Sequence, residues 1–263
     1  MSIRHYNPGR NRRGRVSVAA ERFLFSALLI SIACEILFLY KKTPNLLLIA
    51  AIAAATFSLS HAQLAYAKRY FWSYLIFTLI FGFLIEFISL RTAWPFGDVK
   101  YSNLGATFFS VPLLVLVFWL AALHPLLIMA RRISPSWVLL SGAAAITAYE
   151  LFFDQLLVSN GFKHWKFTGA HIPFQTHIPF ANLIGWLFVG VVYFGIANIL
   201  LPKERRKISA GLASIDIYLI WTLLFNFVAN VFFFARPGTA FLGGLAFGAL
   251  LIPYLSSRYL GQP

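Results

Sequence analysis

Charged side chains are scarce in this sequence. Only 11% of its 263 residues are Asp, Glu, Lys or Arg, whereas 60% are hydrophobic and the mean hydropathy is +0.76. Charged groups make up about a quarter of an ordinary soluble chain, so this balance does not suit a water-soluble domain. The composition therefore predicts a polytopic membrane protein, and the length suits a single membrane domain.

Side chains that ligate metals are few and poorly spaced. Cys34 is the only cysteine and lies inside an apolar run, which excludes a disulfide framework and leaves the redox compartment open. None of the six histidines forms the closely spaced helical pairs that a di-iron membrane enzyme needs. His171 and His177 stand six residues apart in a loop interrupted by proline, and loop hydrogen bonding explains them better than a metal. We predict no metal site.

Motifs for organic cofactors are also missing. The chain has no Gly-x-Gly-x-x-Gly after a strand, no Gly-x-x-x-x-Gly-Lys-Ser/Thr and no Gly-x-Ser-x-Gly. Dinucleotide, nucleotide and serine-hydrolase chemistry therefore lack support. The sequence favours a reaction that needs no cofactor.

Long apolar runs are abundant, by contrast, and they define the fold class. Eight runs of about 18 to 24 residues are long enough to cross the hydrocarbon of a bilayer as helices. They cover residues 23–40, 46–67, 70–90, 108–130, 137–158, 180–201, 212–234 and 238–257. Only Ala235, Arg236 and Pro237 separate the last two, which leaves seven spans as the alternative, but Arg-Pro-Gly is typical of a turn at an interface. We predict an all-α transmembrane helical bundle of about eight spans.

The positive charges predict the orientation of this bundle. With the N-terminus in the cytoplasm, 15 of the Lys and Arg residues fall inside and 7 outside, as the positive-inside rule requires. Both termini are therefore predicted to be cytoplasmic, with a basic tail (1–22), one transmembrane domain (23–257) and a short C-terminal tail (258–263). The net charge of +14 is read as contact with anionic lipid of the cell membrane, not with nucleic acid.

Ionisable side chains inside the spans are candidates for function, because their burial in lipid is costly. Glu35, Glu86, Glu150 and Asp154 all fall in the outer part of their helices. Asn182, Asn226 and Asn230 lie at a similar depth. The two long outer loops, 91–107 and 159–179, are rich in aromatic, Gly, Pro and His residues, as is typical of loops that cap a site. We expect a polar layer beneath these loops.

Two interpretations of the acids remain open. In the first, they serve only to join helices, by hydrogen bonds or by ion pairs with Arg91, Lys163 or Lys166. Alternatively, paired carboxyl groups in an apolar pocket can keep one proton near neutral pH and act as an acid. Aromatic rings of the outer loops would then stabilise a carbocation face-on. These are Trp94, Phe96, Tyr101, Trp165 and Phe167. Gly244 and Gly248 in the last span form a GxxxG pattern, which predicts close helix packing.

Two blocks of residues resemble a known family. The first carries Glu86, Arg91-Thr92, Trp94-Pro95-Phe96-Gly97, Tyr101, Leu104-Gly105, Val111-Pro112-Leu113, Trp119, Pro125 and Ala130-Arg131. The second carries Glu150-Leu151-Phe152-Phe153-Asp154, Gly161, Trp165, Ile178-Pro179-Phe180, Asn182, Gly185 and Trp186. Both are similar to the membrane carotenoid biosynthesis family that includes the carotenoid 1,2-hydratases. The chain departs from the family pattern at Glu150, Ala93 and Gln155, where the family has Asp, Gly and Pro.

The resemblance implies an acyclic carotenoid substrate and hydration of its terminal double bond without a redox cofactor. Asp154 and Glu86 are the predicted acid–base pair, with Glu150 as a further catalytic candidate. The predicted substrate-binding residues are Trp94, Phe96, Tyr101, Trp165, Asn182 and Trp186. Other carotenoid enzymes are possible partners.

Other functions stay open beside the hydratase. A lycopene-type cyclase would begin with the same protonation, and a non-enzymatic transporter or carotenoid-binding module would use the polar layer as a relay or ligand seat. A prenyltransferase is disfavoured, because only Glu150 and Asp154 resemble the two Asp-rich magnesium motifs that it needs.

The charge distribution makes a testable prediction about orientation. In a Cys34→Ser background, a cysteine placed at Ser102 should react with an impermeant thiol reagent in intact cells, since loop 91–107 is predicted to be outside. Labelling is measured with and without permeabilisation. Reaction only after permeabilisation would reverse the predicted topology.

Overall fold

The computed structural model describes residues 16–166 and 169–261. Most of the predicted basic tail and Phe167 lie outside these ranges. Eight long helices follow one another along the chain. They are α1 (Val18–Lys41), α2 (Pro44–Ala65), α3 (Lys68–Thr92), α4 (Leu113–Ile133), α5 (Val138–Ser159), α6 (Phe180–Leu200), α7 (Ala213–Val228), which continues as a π-helical segment (Ala229–Phe233), and α8 (Pro237–Tyr259). The all-α prediction is confirmed.

The helix boundaries follow local chemistry. The Ser17 hydroxyl accepts a hydrogen bond from the backbone N–H of Ala20 and caps α1. Pro44 and Pro237 stand in the first turns of α2 and α8, where a missing N–H costs nothing. The π-helical continuation of α7 ends at Phe233 and α8 begins at Pro237, so the predicted break at Arg-Pro-Gly separates two helices.

Seven of the helices in the described ranges are long and apolar enough to cross a membrane, which makes this a multi-pass membrane protein. The remaining predicted span, α5, is 22 residues long but is not one of these seven, and it carries the polar residues Glu150, Asp154 and Gln155. These three side chains are buried inside the protein. Because α5 packs against α4, α6 and α8 instead of facing lipid along its length, it tolerates polar residues that a peripheral span cannot.

Helices α4 and α5 form the centre of the bundle. Nearly every side chain of α4 from Leu114 to Ala130 is buried, and α4 contacts α2, α3, α5 and α8. Close approach of α5 and α6 depends on glycine: a Cβ at Gly190 would lie 2.6 Å from the Cα of Ala143. The two backbones can touch because small residues face one another.

The GxxxG prediction for α8 holds at only one of its two glycines. A Cβ at Gly244 would lie 3.2 Å from the Phe227 ring of α7, whereas a Cβ at Gly248 meets no atom within 4 Å. A closer contact lies at Gly243, where a Cβ would lie 2.7 Å from the Phe152 ring. Sequence spacing indicated a small-residue helix but not which face meets a neighbour.

Short strands connect the helices at one end of the bundle. They form three antiparallel pairs: β1 (Val99–Tyr101) with β4 (Lys163–Trp165), β2 (Thr107–Phe108) with β3 (Val111–Pro112), and β5 (His171–Ile172) with β6 (Gln175–Pro179). The β1–β4 pair joins the two long loops that were expected to cap a site. Its register places Tyr101 opposite Lys163, so both side chains enter the bundle at one point.

A buried histidine pair stabilises a different part of the bundle. His61 on α2 and His124 on α4 lie 2.9 Å apart, between Nδ1 and Nε2. The second nitrogen of His61 faces the carbonyl of Gly211, and that of His124 faces the hydroxyl of Tyr70. Because a carbonyl only accepts, His61 donates to Gly211 and accepts from His124, which in turn accepts from Tyr70. Two neutral imidazole rings therefore satisfy all of these hydrogen bonds. Spacing along the sequence does not predict this pair, because the two histidines belong to different helices.

Candidate active site

Three acids surround one cavity, which we call the acid cavity. It contains about 380 Å³ of space free of protein atoms. The carboxyl groups of Glu86 on α3 and of Glu150 and Asp154 on α5 face it. The C-terminal parts of α3 and α5 meet the N-terminal parts of α4 and α6 there, beneath the β1–β4 pair. The cavity is also lined by Tyr101, Val115, Phe118, Trp119, Ala122, Leu123, Ile146, Phe153, Leu157, Lys163 and Trp186.

Glu86 is held by two donors. The hydroxyl of Tyr101 donates to one of its carboxyl oxygens over 2.9 Å, and the indole N–H of Trp119 donates to the other over 3.2 Å. Glu86 is only 1% exposed. These two donors, one on each oxygen, fix the orientation of the Glu86 carboxyl group.

Asp154 is the most completely paired of the three acids. Its Oδ1 forms a salt bridge with the ammonium group of Lys163. Its Oδ2 accepts hydrogen bonds from the amide of Asn182, at 2.6 Å, and from the indole of Trp186, at 3.2 Å. Both members of the ion pair are buried, so the carboxylate is fixed in place by groups from α6 and β4.

Glu150 differs from its two neighbours. It is buried and lines the acid cavity, but no hydrogen bond joins its carboxyl group to another group in the described part of the chain. The spacing of four residues places it one helical turn from Asp154, on the same face of α5. A buried carboxyl without donors, next to a carboxylate, is more stable when it carries a proton.

Lys163 is the cation of the acid cavity. Its ammonium lies 4.7 Å from the centre of the Trp165 ring and 5.5 Å from that of Tyr101. Burial alone would lower the pKa of Lys163, but the carboxylate of Asp154 and the other acids outweigh this effect and raise the pKa above its ordinary value. Lys163 therefore stays charged at neutral pH. Burial, together with the charge of Glu86, also raises the pKa of Tyr101 well above its usual range.

The predicted binding residues take different positions around this cavity. Tyr101 and Trp186 line it directly. Asn182 and Trp165 stand behind its wall, where Asn182 holds Asp154 and the indole N–H of Trp165 donates to the carbonyl of Phe96. The Phe96 ring packs on Trp186 with centroids 4.5 Å apart. These three residues position the groups that line the cavity.

Trp94 lies elsewhere. It is 50% exposed and its ring packs edge-on against Phe188 of α6. This position on the outer surface gives it no contact with the acid cavity as described. Its place within an aromatic loop indicated proximity to the acids, but the turn that follows α3 directs it outwards.

The expected polar layer is divided between two cavities. Glu35 accepts hydrogen bonds from Trp221 and Ser31 and lines a neighbouring cavity, together with Asn226. The amides of Asn226 and Asn230 donate to backbone carbonyls one turn earlier in their own helix. Depth in the membrane was predicted from the sequence, but which helices are neighbours was not.

Lys163 and Trp119 are the residues that sequence reasoning undervalued. Lys163 appeared only as one of three possible ion-pair partners, and Trp119 only as part of a motif. Alternation along β4 was a usable signal, because successive residues of a strand point to opposite faces and Lys163 and Trp165 share the buried one. No group of three or more His, Cys, Asp or Glu side chains within the described ranges is arranged to hold a metal ion.

Fold and cavity together define a multi-pass membrane protein whose candidate reactive groups are carboxyl side chains set among aromatic rings. The chain belongs to the carotenoid biosynthesis protein family, whose profile matches residues 43–251. That range includes both blocks of motif residues and all three acids of the acid cavity.

One relative has a specific activity in its name. The chain is 30% identical, over 126 residues, to the bisanhydrobacterioruberin hydratase of Haloarcula japonica. The aligned part is 45% of this chain and 41% of that protein, so the chain matches less than half of the relative's length. No solved structure matches the chain.

The buried ion pair makes a testable prediction about stability. Replacing Lys163 by Met should destabilise the protein by about 3–5 kcal/mol, because the Asp154 carboxylate stays buried without its cation. Thermal unfolding of the detergent-solubilised protein measures the effect. Lys166→Met, an exposed lysine of the same loop, is the control and should change little.

A second variant tests the cause of that loss. Adding Asp154→Leu to Lys163→Met removes both charges and should recover much of the stability. Equal stability of the Lys163→Met and Lys166→Met proteins would show that the pair does not hold the loop.

Proposed function

We propose that this protein is a carotenoid hydratase, which adds water across the terminal C1–C2 double bond of an acyclic carotenoid without a cofactor. The observation that carries the proposal is the unequal hydrogen bonding of the three acids around one cavity. Two carboxyl groups are held by donors, and the third, Glu150, is free to give a proton. The family and the hydratase relative support the substrate class.

The first step is protonation of the alkene. Glu150 donates its proton to C2, and the electron pair of the double bond forms the new C–H bond, leaving a tertiary cation at C1. Rings of Trp119 and Trp186, whose centroids lie 5.5 Å apart, line the cavity where this charge develops. The negative charge of Asp154, fixed by Lys163 and Asn182, stabilises the cation further.

The second step is capture of the cation by water. Glu86 accepts a proton from the attacking water while the new C–O bond forms, and the product is a tertiary alcohol. Tyr101 and Trp119 keep the Glu86 carboxylate oriented for this role. The proton taken by Glu86 returns to Glu150 before the next turnover, so the acids are unchanged overall.

The assignment predicts the effects of neutral substitutions. Glu150→Gln, Glu86→Gln and Asp154→Asn should each lower turnover by about 10²-fold or more, because an amide can neither give nor take the proton and cannot balance the cation. Product is measured by pigment mass analysis after expression in a lycopene-producing host, normalised to inserted protein.

Glu35→Gln provides the control for this series. It removes a membrane carboxyl that lies outside the acid cavity, so its effect should be milder. Near-normal product from the Glu150 or the Asp154 variant would remove the corresponding residue from the mechanism.

The origin of the new oxygen gives a separate prediction. Purified protein in lipid should convert an acyclic carotene without O₂, NAD(P)H, ATP or added metal. In ¹⁸O-labelled water the label should enter the new hydroxyl, and one solvent hydrogen should enter the neighbouring carbon.

Three results would contradict the hydratase. A product that carries solvent deuterium but no added oxygen would identify a cyclase, in which an internal alkene captures the cation. Oxygen arriving from ¹⁸O₂ would require an oxidative reaction. Pigment that binds without any change in mass would favour a carotenoid-binding module.

A further inference from the structure

A second cavity lies beside the acid cavity and has no role in the mechanism above. It lies between α1, α2, α4, α5 and α7, and the space free of protein atoms there, including its open side, is about 700 Å³. Its lining on α7 extends from Tyr218 to Asn226, which at 1.5 Å per residue is about 12 Å along the helix axis. The second cavity is therefore elongated along the helices.

Small side chains keep this space open. Ala50, Ala51 and Ala54 on α2 and Ala121 on α4 all line it. Leucine, which is common elsewhere in these spans, would fill much of the gap. The alanine-rich part of α2 thus leaves room for a ligand as well as for its neighbouring helix.

The second cavity adjoins the acid cavity. Phe118 and Phe153 line both of them, and their rings meet edge to face with centroids 4.6 Å apart. A long molecule with one end among the three acids would reach the second cavity past this ring pair. Glu35 and Trp221 on its wall are only partly buried, so the space is not sealed from the surroundings of α1 and α7.

The chemistry of its wall selects an apolar ligand. The polar groups present are already paired within the protein: Glu35 with Trp221 and Ser31, Thr222 with the carbonyl of Tyr218, and the Asn226 amide with the carbonyl of Thr222. The hydroxyl groups of Tyr149 and Tyr218 are hydrogen-bonded to each other, and the remaining surface is aliphatic or aromatic. Aromatic faces suit a flat conjugated chain.

We propose that the second cavity binds the conjugated chain of the substrate while its terminal double bond lies in the acid cavity. The inference rests on the proposed function and deepens it, because it makes the alanines of α2 determinants of substrate length. Binding of the conjugated chain would then position the reacting end of the substrate through contacts that lie far from the bond that changes.

Filling the second cavity tests the proposal. Ala54→Leu and, separately, Ala51→Leu should lower kcat/KM for lycopene by roughly tenfold or more, since the chain meets an overpacked wall. Turnover of β-farnesene, a short hydrocarbon with the same end group, should change much less, which also shows that the variants are folded. Ala249→Leu on the exposed face of α8 is the matched control.

A binding measurement separates this inference from the proposed function. In a Glu150→Gln background, which blocks chemistry, lycopene bound to the purified protein is followed by its absorbance. The added Ala54→Leu should remove most of the bound pigment, whereas Ala249→Leu should retain it.

The outcomes are distinct. Normal lycopene binding and turnover in the Ala54→Leu and Ala51→Leu variants would show that the second cavity does not bind the conjugated chain. This result would leave the proposed hydratase activity intact. Equal losses for lycopene and β-farnesene in both variants would also overturn it. If the wild-type protein neither binds nor converts any acyclic carotene, the proposed function fails and the inference fails with it.

Discussion

The structure depends on one requirement: a carboxylate buried between apolar helices needs a cation beside it. Asp154 on α5 meets this requirement through Lys163, which belongs to a loop and not to a helix. The loop must therefore fold inwards over the bundle, and its pairing with β1 brings Tyr101 to the same point. A single ion pair thus links the central helix, the loops that cover it and the wall of the acid cavity.

The same arrangement gives three similar side chains different properties. Donors surround the carboxyl groups of Asp154 and Glu86, whereas Glu150 faces the cavity without one. The three side chains therefore differ in their surroundings and not in their functional group. Glu150 keeps its carboxyl group at the cavity wall.

The position of α5 explains how a membrane protein tolerates this concentration of charge. Other helices cover α5, and glycines such as Gly190 allow α6 to approach it closely. The polar face of α5 therefore packs against other helices and lines a small cavity, and it does not contact lipid. Beside it, the alanines of α2 leave an apolar space, so a polar and an apolar cavity lie next to one another at the centre of the bundle.

The sequence by itself determined the membrane class, the approximate spans, the four acids and the two motif blocks, because hydropathy and spacing along a helix report depth and face directly. Only the tertiary structure decided which helices are neighbours. It placed Glu35 in a separate cavity and Trp94 on the outer surface, paired His61 with His124, and selected Lys163 among three candidate cations. These contacts join residues far apart in the chain, and no period or motif within one helix encodes them.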